Sequence, residues 1–450
     1  MIMKRILIYL ALFVNPLVYG NTYYVATTGN NLNVGTLQSP WRTWNYGFNH
    51  INAGDTLFIR GGTYTDMMGL LEGAYFGVRV SAKYGSTVDS IYVLAYPSEV
   101  PVLDCSVMTT DSSYHYGILI QNSSYWHIEG LTVKSVHEFE SGGSYPFYGG
   151  GWEFADVKGI KIINCTVTDC INGFSVSSNI DSLVYVNCDA FLNYDLYDDG
   201  GLANGFNGNM KAGSTMFYYG CRSWKNSDDG FDNAAGGGYI RYENCWAWGN
   251  GQGDTPTIGD GVGFKLGANT RAQETGVQRR LFKCISANNK LSGFDENSDP
   301  DDYPMDMILY NCTSFNDGTE SPAVHFITAD AVDTIKNCIS YKTRYSYNAW
   351  QVYQGRRANV EDHNSWDSEP PYVTAADFVS LDYTQLDRKR KNNGNLPDID
   401  FMKLEEGSDL IDAGTDVGYT YHGKAPDLGW YEYNNEQMNQ IGSGKTCREK

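Results

Sequence analysis

The sequence predicts an all-β chain, a right-handed parallel β-helix with an N-terminal helical cap and a long C-terminal segment packed along it. Three observations carry this. Cys recurs inside alternating apolar segments at positions 165, 188, 221, 245, 284, 312 and 338, with spacings of 23, 33, 24, 39, 28 and 26 residues. A Gly-Phe-x triplet recurs at Gly173, Gly205, Gly230, Gly263 and Gly293. The segments are short, bounded by Gly turns and without helical periodicity. A period in the twenties with insertions marks a solenoid whose strands stack while its loops vary. Neither a Leu consensus nor a Trp-Asp signature recurs, so leucine-rich and propeller arrays fit less well.

In chain order, residues 1–20 read as a secretory signal. Lys4 and Arg5 precede an apolar run from Ile6 to Val14, followed by Pro16 and Gly20. That run is too short for a comfortable membrane span. The mature chain is therefore expected to be secreted or periplasmic, without membrane insertion, and a monomer. Residues 21–435 form the expected solenoid domain. Within it, Thr43–Ile51 reads as a helix covering the open end, and Ile91–Leu94 and Pro101–Asp104 as short strands around a Pro-marked turn. Repeat units follow at Tyr125–Val133, Ile160–Val167, Leu183–Phe191, Met216–Trp224, Tyr239–Trp248, Leu281–Ala287, Met307–Phe315 and Thr334–Tyr341. Residues 344–435 read as a capping segment, in which the basic run Arg388–Lys391 is most simply a solvated loop. Residues 436–450 are expected to be frayed.

Composition narrows the function. Charged residues make up 19% and hydrophobic ones 42%, a globular balance. The formal net charge of -20 argues against nucleic acid or anionic membrane as a partner. An acidic polymer would need a cation or local basic groups to bind. Each recurring Cys reads as a small buried hydrophobe, not as half a disulfide, and CxxC zinc spacing is absent. Five of the seven follow an Asn, which reads as a ladder at a tight turn, because Asn tolerates the left-handed conformation and its amide can bond to the coil above.

If the triplets occupy one position on successive coils, the Phe side chains stack inside. The following residues then form an outer column: Ser175, Asn207, Asp232, Lys265 and Asp295. Asn204, Asp228, Asp229 and Asp232 cluster on two coils, with Lys265 one coil away. Three carboxylates and an amide in one patch repel unless a cation neutralises them, and hard oxygen ligands without Cys or His point to Ca²⁺. The plain alternative is a solvated acidic turn. A cation beside Lys265 would lower the Lys pKa and make the amine available as a base. Bound to a uronic acid carboxylate, the same cation would acidify the C5 proton. The plain alternative for Lys265 is an ion pair to Asp232 or Asp295.

Asn226–Asp232 and Gly261–Gly267 resemble the metal and base segments of the family-nine polysaccharide lyases, exported parallel β-helix enzymes that cleave pectic galacturonans. Leu291–Asn297, Leu309–Thr313, the entry segment 23–64 and the tail 396–429 resemble them as well. The resemblance implies Ca²⁺ on Asp228, Asp229 and Asp232, with Lys265 as the Brønsted base in β-elimination from an acidic pectic polysaccharide. Polygalacturonate and rhamnogalacturonan I, with its alternating rhamnose, are the two candidate backbones. In one place the chain departs from the family pattern. It has Asn204-Gly205-Phe206 where family pectate lyases usually carry Asp-Gly-Phe, so one negative charge is lost, although Asn204 retains a carbonyl for ligation. Lys211, Asp295 and Asn297 are further candidates for substrate binding.

Two other classes remain open at this point. A β-helix glycosidase would use Asp228 and Asp229 as acid and base, but Gly-His-Gly and Arg-Ile-Lys segments are missing. A non-catalytic glycan-binding solenoid explains the aromatics but not the placement of Lys265.

Overall fold

The computed structural model describes residues 20–109, 114–138, 149–233, 237–267, 277–297, 305–318, 324–328, 333–342, 350–354, 360–367 and 373–434. The expected signal segment, apart from Gly20, and the expected frayed tail lie outside them.

Alternating apolar residues need a partner on one face only, and here they find it by stacking coil upon coil. Among the described residues the strands form sheets of 12, 10 and 11 members, parallel except for one hairpin at Gly69–Leu71. One coil shows the path. Leu183–Val186 lies in the 12-stranded sheet, Asp189–Phe191 in the 10-stranded sheet and Phe206–Gly208 in the 11-stranded sheet. The chain then returns to the first sheet at Thr215–Tyr219. Each repeat unit read from the sequence is thus two strands joined by a bend. The bend residue is the one before each Cys: Asn164, Asn187, Asn244, Asn311 and Asn337 have φ between 52° and 58°, and Gly220 and Lys283 take the same place at φ 60° and 51°. The Cys that follows is fully buried and free in each of the seven units that carry one.

Inside, Phe174, Phe206, Phe231, Phe264, Phe294 and Phe326 stack at centroid spacings of 5.0, 4.9, 4.8, 4.9 and 5.1 Å. This spacing is set by the distance between hydrogen-bonded strands. Helix Trp44–His50 caps the N-terminal end, started by Thr43, whose Oγ1 accepts from the Tyr46 amide at 3.2 Å. Phe48 of that helix stacks on Trp126 in the core.

The amide ladder lies elsewhere than the sequence reading placed it. Of the bend asparagines, Asn337 donates to Asn311 Oδ1 at 3.4 Å, but Asn311 itself donates to the Asp427 carbonyl and Asn187 to Asn395. A different, buried column forms the continuous ladder. The backbone N and Nδ2 of Asn193 both donate to Asn226 Oδ1 at 3.2 and 2.8 Å. Asn226 does the same to Asn250 at 3.1 and 3.0 Å, and Asn250 to Asn289 at 3.1 and 2.8 Å. Asp317 Oδ1 ends the series by accepting both donors of Asn289 at 2.9 Å. The Gly of three triplets, Gly205, Gly230 and Gly263, makes room for it. A Cβ on Gly230 would lie 2.9 Å from Asn250 Nδ2, and one on Gly263 would lie 2.9 Å from Asn289 Nδ2.

The C-terminal segment packs along the outer face of the 10-stranded sheet. Phe378, Leu386, Ile399, Phe401, Leu404, Leu410 and Leu428 bury against Trp246, Trp248, Ile285, Phe315 and Ile339. In the basic run Arg388, Lys389 and Lys391 are exposed, as expected of a solvated loop, but Arg390 turns inward. Arg390 and Arg222 both clasp the buried Asp189, at 2.6 and 2.7 Å, and Arg222 Nη1 also donates to the carbonyls of Leu386 and Arg388. The two guanidinium groups hold the Asp189 carboxyl below its usual range despite burial.

Two stability measurements follow. Removing one partner of a buried ion pair costs about 3–5 kcal/mol. Asp189→Ala should therefore lower denaturant stability by about that much and detach the segment from the solenoid, seen as faster proteolysis near residue 390. Asn250→Ala strands two buried donors of Asn226 and should cost about 1–3 kcal/mol per group. An unchanged unfolding midpoint in either variant contradicts the assigned role.

Candidate active site

The triplet register places the outer column as its spacing implies. Asn207 pairs with Asp232, Asp232 with Lys265 and Lys265 with Asp295. Because the intervening Phe faces the core, these side chains share the opposite face. Asp228 and Asp229 come from the corner that leads into this strand, directly after ladder residue Asn226. Ser227 fixes that corner: its Oγ donates to the Gly200 carbonyl at 2.9 Å and its carbonyl accepts from the Gly259 amide at 2.6 Å. Gly259 is required here, since a Cβ would lie 2.7 Å from Asp228 Oδ1.

Asp228 and Asp229 are 2% and 0% exposed, although both are carboxylates. Asp228 Oδ1 accepts from the Asp260 amide at 2.9 Å, and Asp229 Oδ1 from the Val262 amide at 2.6 Å. Asp229 Oδ2 is buried without a hydrogen bond of good geometry, and it faces Lys265 Nζ at 3.0 Å. Asp260 Oδ2 lies on the exposed side of the same ammonium at 3.7 Å. Burial, reinforced by mutual repulsion, pushes both Asp228 and Asp229 above the usual carboxylate range. The same carboxylates, Asp229 first, hold Lys265 well above its ordinary value, as an ammonium.

Asn204 is buried beside them. Its Oδ1 accepts from the Asp229 amide at 3.0 Å, and its Nδ2 faces Asp232 Oδ2 at 3.4 Å. In this arrangement Asn204 offers the carboxylates a donor through Nδ2. Asp295 is buried and used locally, accepting from Ser292 Oγ at 2.9 Å and from the Asn297 amide at 2.7 Å. Asn297 itself is exposed at φ 51°. Lys211 is exposed in the turn after Met210 and makes no hydrogen bond or ion pair with the cluster. The structure thus brings Asn204, Asp228, Asp229, Asp232 and Lys265 together, and it leaves Lys211 apart.

Sequence reasoning missed two residues. Asp260 precedes the Gly261-Val262-Gly263 run, and nothing in a lone Asp beside Gly signals its place next to Lys265. Arg279 is fully buried, with burial lowering its pKa to about 10. It donates to the Leu266 carbonyl at 2.9 Å and the Asn233 carbonyl at 3.3 Å, tying together the ends of the two strands that carry Lys265 and Asp232.

Among the described residues, no three acidic, His or Cys side chains already converge as a set able to hold a metal ion. The ammonium of Lys265 sits where the carboxylates face one another. The chemistry of the donors nevertheless fits Ca²⁺. They are all oxygens, they carry excess negative charge, and one buried oxygen, Asp229 Oδ2, already faces a cation, the Lys265 ammonium, at 3.0 Å.

Residues 23–329 match the family described as the Pel9A-like, right-handed β-helix region. A pectate lyase L of Dickeya dadantii (strain 3937) is 30% identical over 422 residues, covering 92% of this chain and 90% of the relative. The crystal structure of pectate lyase Pel9A is similar at a TM-score of 0.71 and 28% identity, covering 92% of this chain and 96% of that one. A rhamnogalacturonan lyase is similar at a TM-score of 0.72 and 26% identity, covering 86% and 97%. The stacked coils, the match over most of their length and the shared sequence identity make this chain a member of the Pel9A-like right-handed β-helix family, a family-nine polysaccharide lyase.

Proposed function

We propose that the enzyme cleaves the galacturonate-containing backbone of pectin by β-elimination, after export directed by residues 1–20. The observation that carries this is the approach of Lys265 Nζ to 3.0 Å from buried Asp229, next in register to Asp232. The pectate and rhamnogalacturonan lyases it resembles support the substrate class. Asp228, Asp229 and Asp232 are the groups that would hold Ca²⁺. When bound, the cation supplies a counter-charge for the substrate carboxylate and acidifies the C5 proton.

The chain's own groups account for the rest. With the charge of the carboxylates offset by a bound cation, Lys265 Nζ would give up its extra proton to solvent and, as a neutral amine, accept the C5 proton. The C5–H electrons form the C4=C5 double bond as the C4–O bond breaks, and the departing oxygen takes up a proton. Asp229 orients Nζ. Asn204 steadies Asp232 through Nδ2. The stacked Phe residues behind the strands hold Asp232 and Lys265 one strand spacing apart, so the base and the carboxylates keep a fixed geometry.

The test is ultraviolet absorbance of unsaturated products from polygalacturonate and from rhamnogalacturonan I, with and without chelator. Elimination should stop with chelator and return with Ca²⁺. Lys265→Ala should lower kcat by about 10²–10⁴-fold. Undiminished elimination by Lys265→Ala removes it as the base. Saturated reducing ends formed despite chelator would identify a hydrolase, and no cleavage of either polymer a binding module.

A further inference from the structure

The outer column continues past Asp232 toward the N-terminus. Asn207 pairs with Ser175, Ser175 with Glu153 and Glu153 with Leu119. Glu153 is three strands from Asp232, about 14 Å at the usual strand spacing. It alternates with Trp152 and Phe154, both fully buried in the core, so its carboxyl lies on the same face as Asp232 and Lys265.

Glu153 is only 7% exposed and Ser175 only 8%. Glu153 Oε1 and Ser175 Oγ are both buried without a hydrogen-bond partner. Leaving such a group unpaired costs about 1–3 kcal/mol, and among the described residues nothing uses either atom. Asp295, in the same column, has its oxygens taken by Ser292 and Asn297. Burial pushes the Glu153 carboxyl up to about 7, with only Ser177 opposing and no Lys or Arg acting on it.

An aromatic surface adjoins these two groups. Leu119 packs with Phe76, and Tyr116 lies against both. The Tyr116 ring stacks on Phe76 at 5.6 Å and on Tyr114 at 6.5 Å, all within 13° of parallel. Tyr114 is 40% exposed. Burial and the nearby Glu153 both raise the Tyr116 hydroxyl. An apolar ring face beside a few convergent, unsatisfied polar atoms is the chemistry of a sugar pocket.

We infer that Glu153 and Ser175, with the Tyr114–Tyr116 pair, form a second sugar subsite on the catalytic face that takes a neutral, hydroxyl-bearing residue of the polymer. A sugar hydroxyl can donate to Glu153 Oε1 and accept from Ser175 Oγ. A uronate carboxylate has no proton to donate and would be repelled by ionised Glu153, with no basic group among the described residues acting to offset the two charges. The subsite therefore favours a backbone in which galacturonate alternates with a neutral sugar. This inference rests on the pectic lyase reading above.

Calorimetric binding to Lys265→Ala tests it apart from turnover, using an alternating rhamnose–galacturonate oligosaccharide and an oligogalacturonate of equal length. The alternating ligand should bind the tighter. Adding Glu153→Ala or Ser175→Ala should weaken it about tenfold while leaving the oligogalacturonate within about twofold. Ser175→Ala removes one oxygen, so it keeps the test sound if Glu153→Ala fails to fold. Equal affinity for the alternating ligand with and without these changes overturns the subsite. So does tighter binding of oligogalacturonate, or binding of neither ligand. Residual elimination by Lys265→Ala would overturn the base assignment and leave the subsite result standing.

Discussion

The buried asparagine ladder is the constraint on which the site depends. From Asn193 to Asp317 each side-chain oxygen accepts both the backbone and the side-chain N–H of the asparagine before it, and so locks one corner of these coils to the next. A corner is where a solenoid is free to shift, because strand pairing stops there. With the ladder in place, the chain leaving Asn226 runs through Ser227 into Asp228 and Asp229 along a fixed path. The ladder also explains Gly205, Gly230 and Gly263, whose missing Cβ leaves room for the amides. The Phe column inside and the ladder at the corner act on the same coils. Together they set Asp232 and Lys265 side by side across 33 residues of sequence.

The electrostatics of the cluster depend on that rigidity. Two nearly inaccessible carboxylates would be costly in a yielding structure, since they would be protonated or drawn out to water. Here the amides of Asp260 and Val262 hold one oxygen of each, and Lys265 supplies the counter-charge. Buried Arg279 secures the ends of both strands from the core side. The site is consequently charged, crowded and held in place, which is the condition for binding a cation and an acidic sugar together.

Much of this was legible in the sequence wherever a residue type repeats at one structural position. The Cys and Gly-Phe-x repeats revealed the coils, and counting along the triplets was enough to bring Asp232 next to Lys265. The helix at Trp44–His50 was visible from its pattern. The ladder was missed because its asparagines have dissimilar neighbours, yet a signal existed. Asn193, Asn226, Asn250, Asn289 and then Asp317 each fall five residues after a repeat Cys. The role of Arg390 was hidden because a basic run looks solvated until its buried partner, 201 residues away, is known. Asp260, Arg279 and Glu153 occur once each. A single charged residue acquires its meaning from burial and neighbours, which only the folded chain supplies.

The central claim is that the acidic cluster beside Lys265 is a cation site built by the stacking of coils. Calorimetric titration of Ca²⁺ into the metal-free protein at constant pH measures this directly. The account predicts one bound cation, about tenfold or weaker binding in Asp229→Asn, and undiminished binding in Lys265→Ala, where no ammonium competes. Equal Ca²⁺ affinity in the unmodified protein and in Asp229→Asn would contradict it.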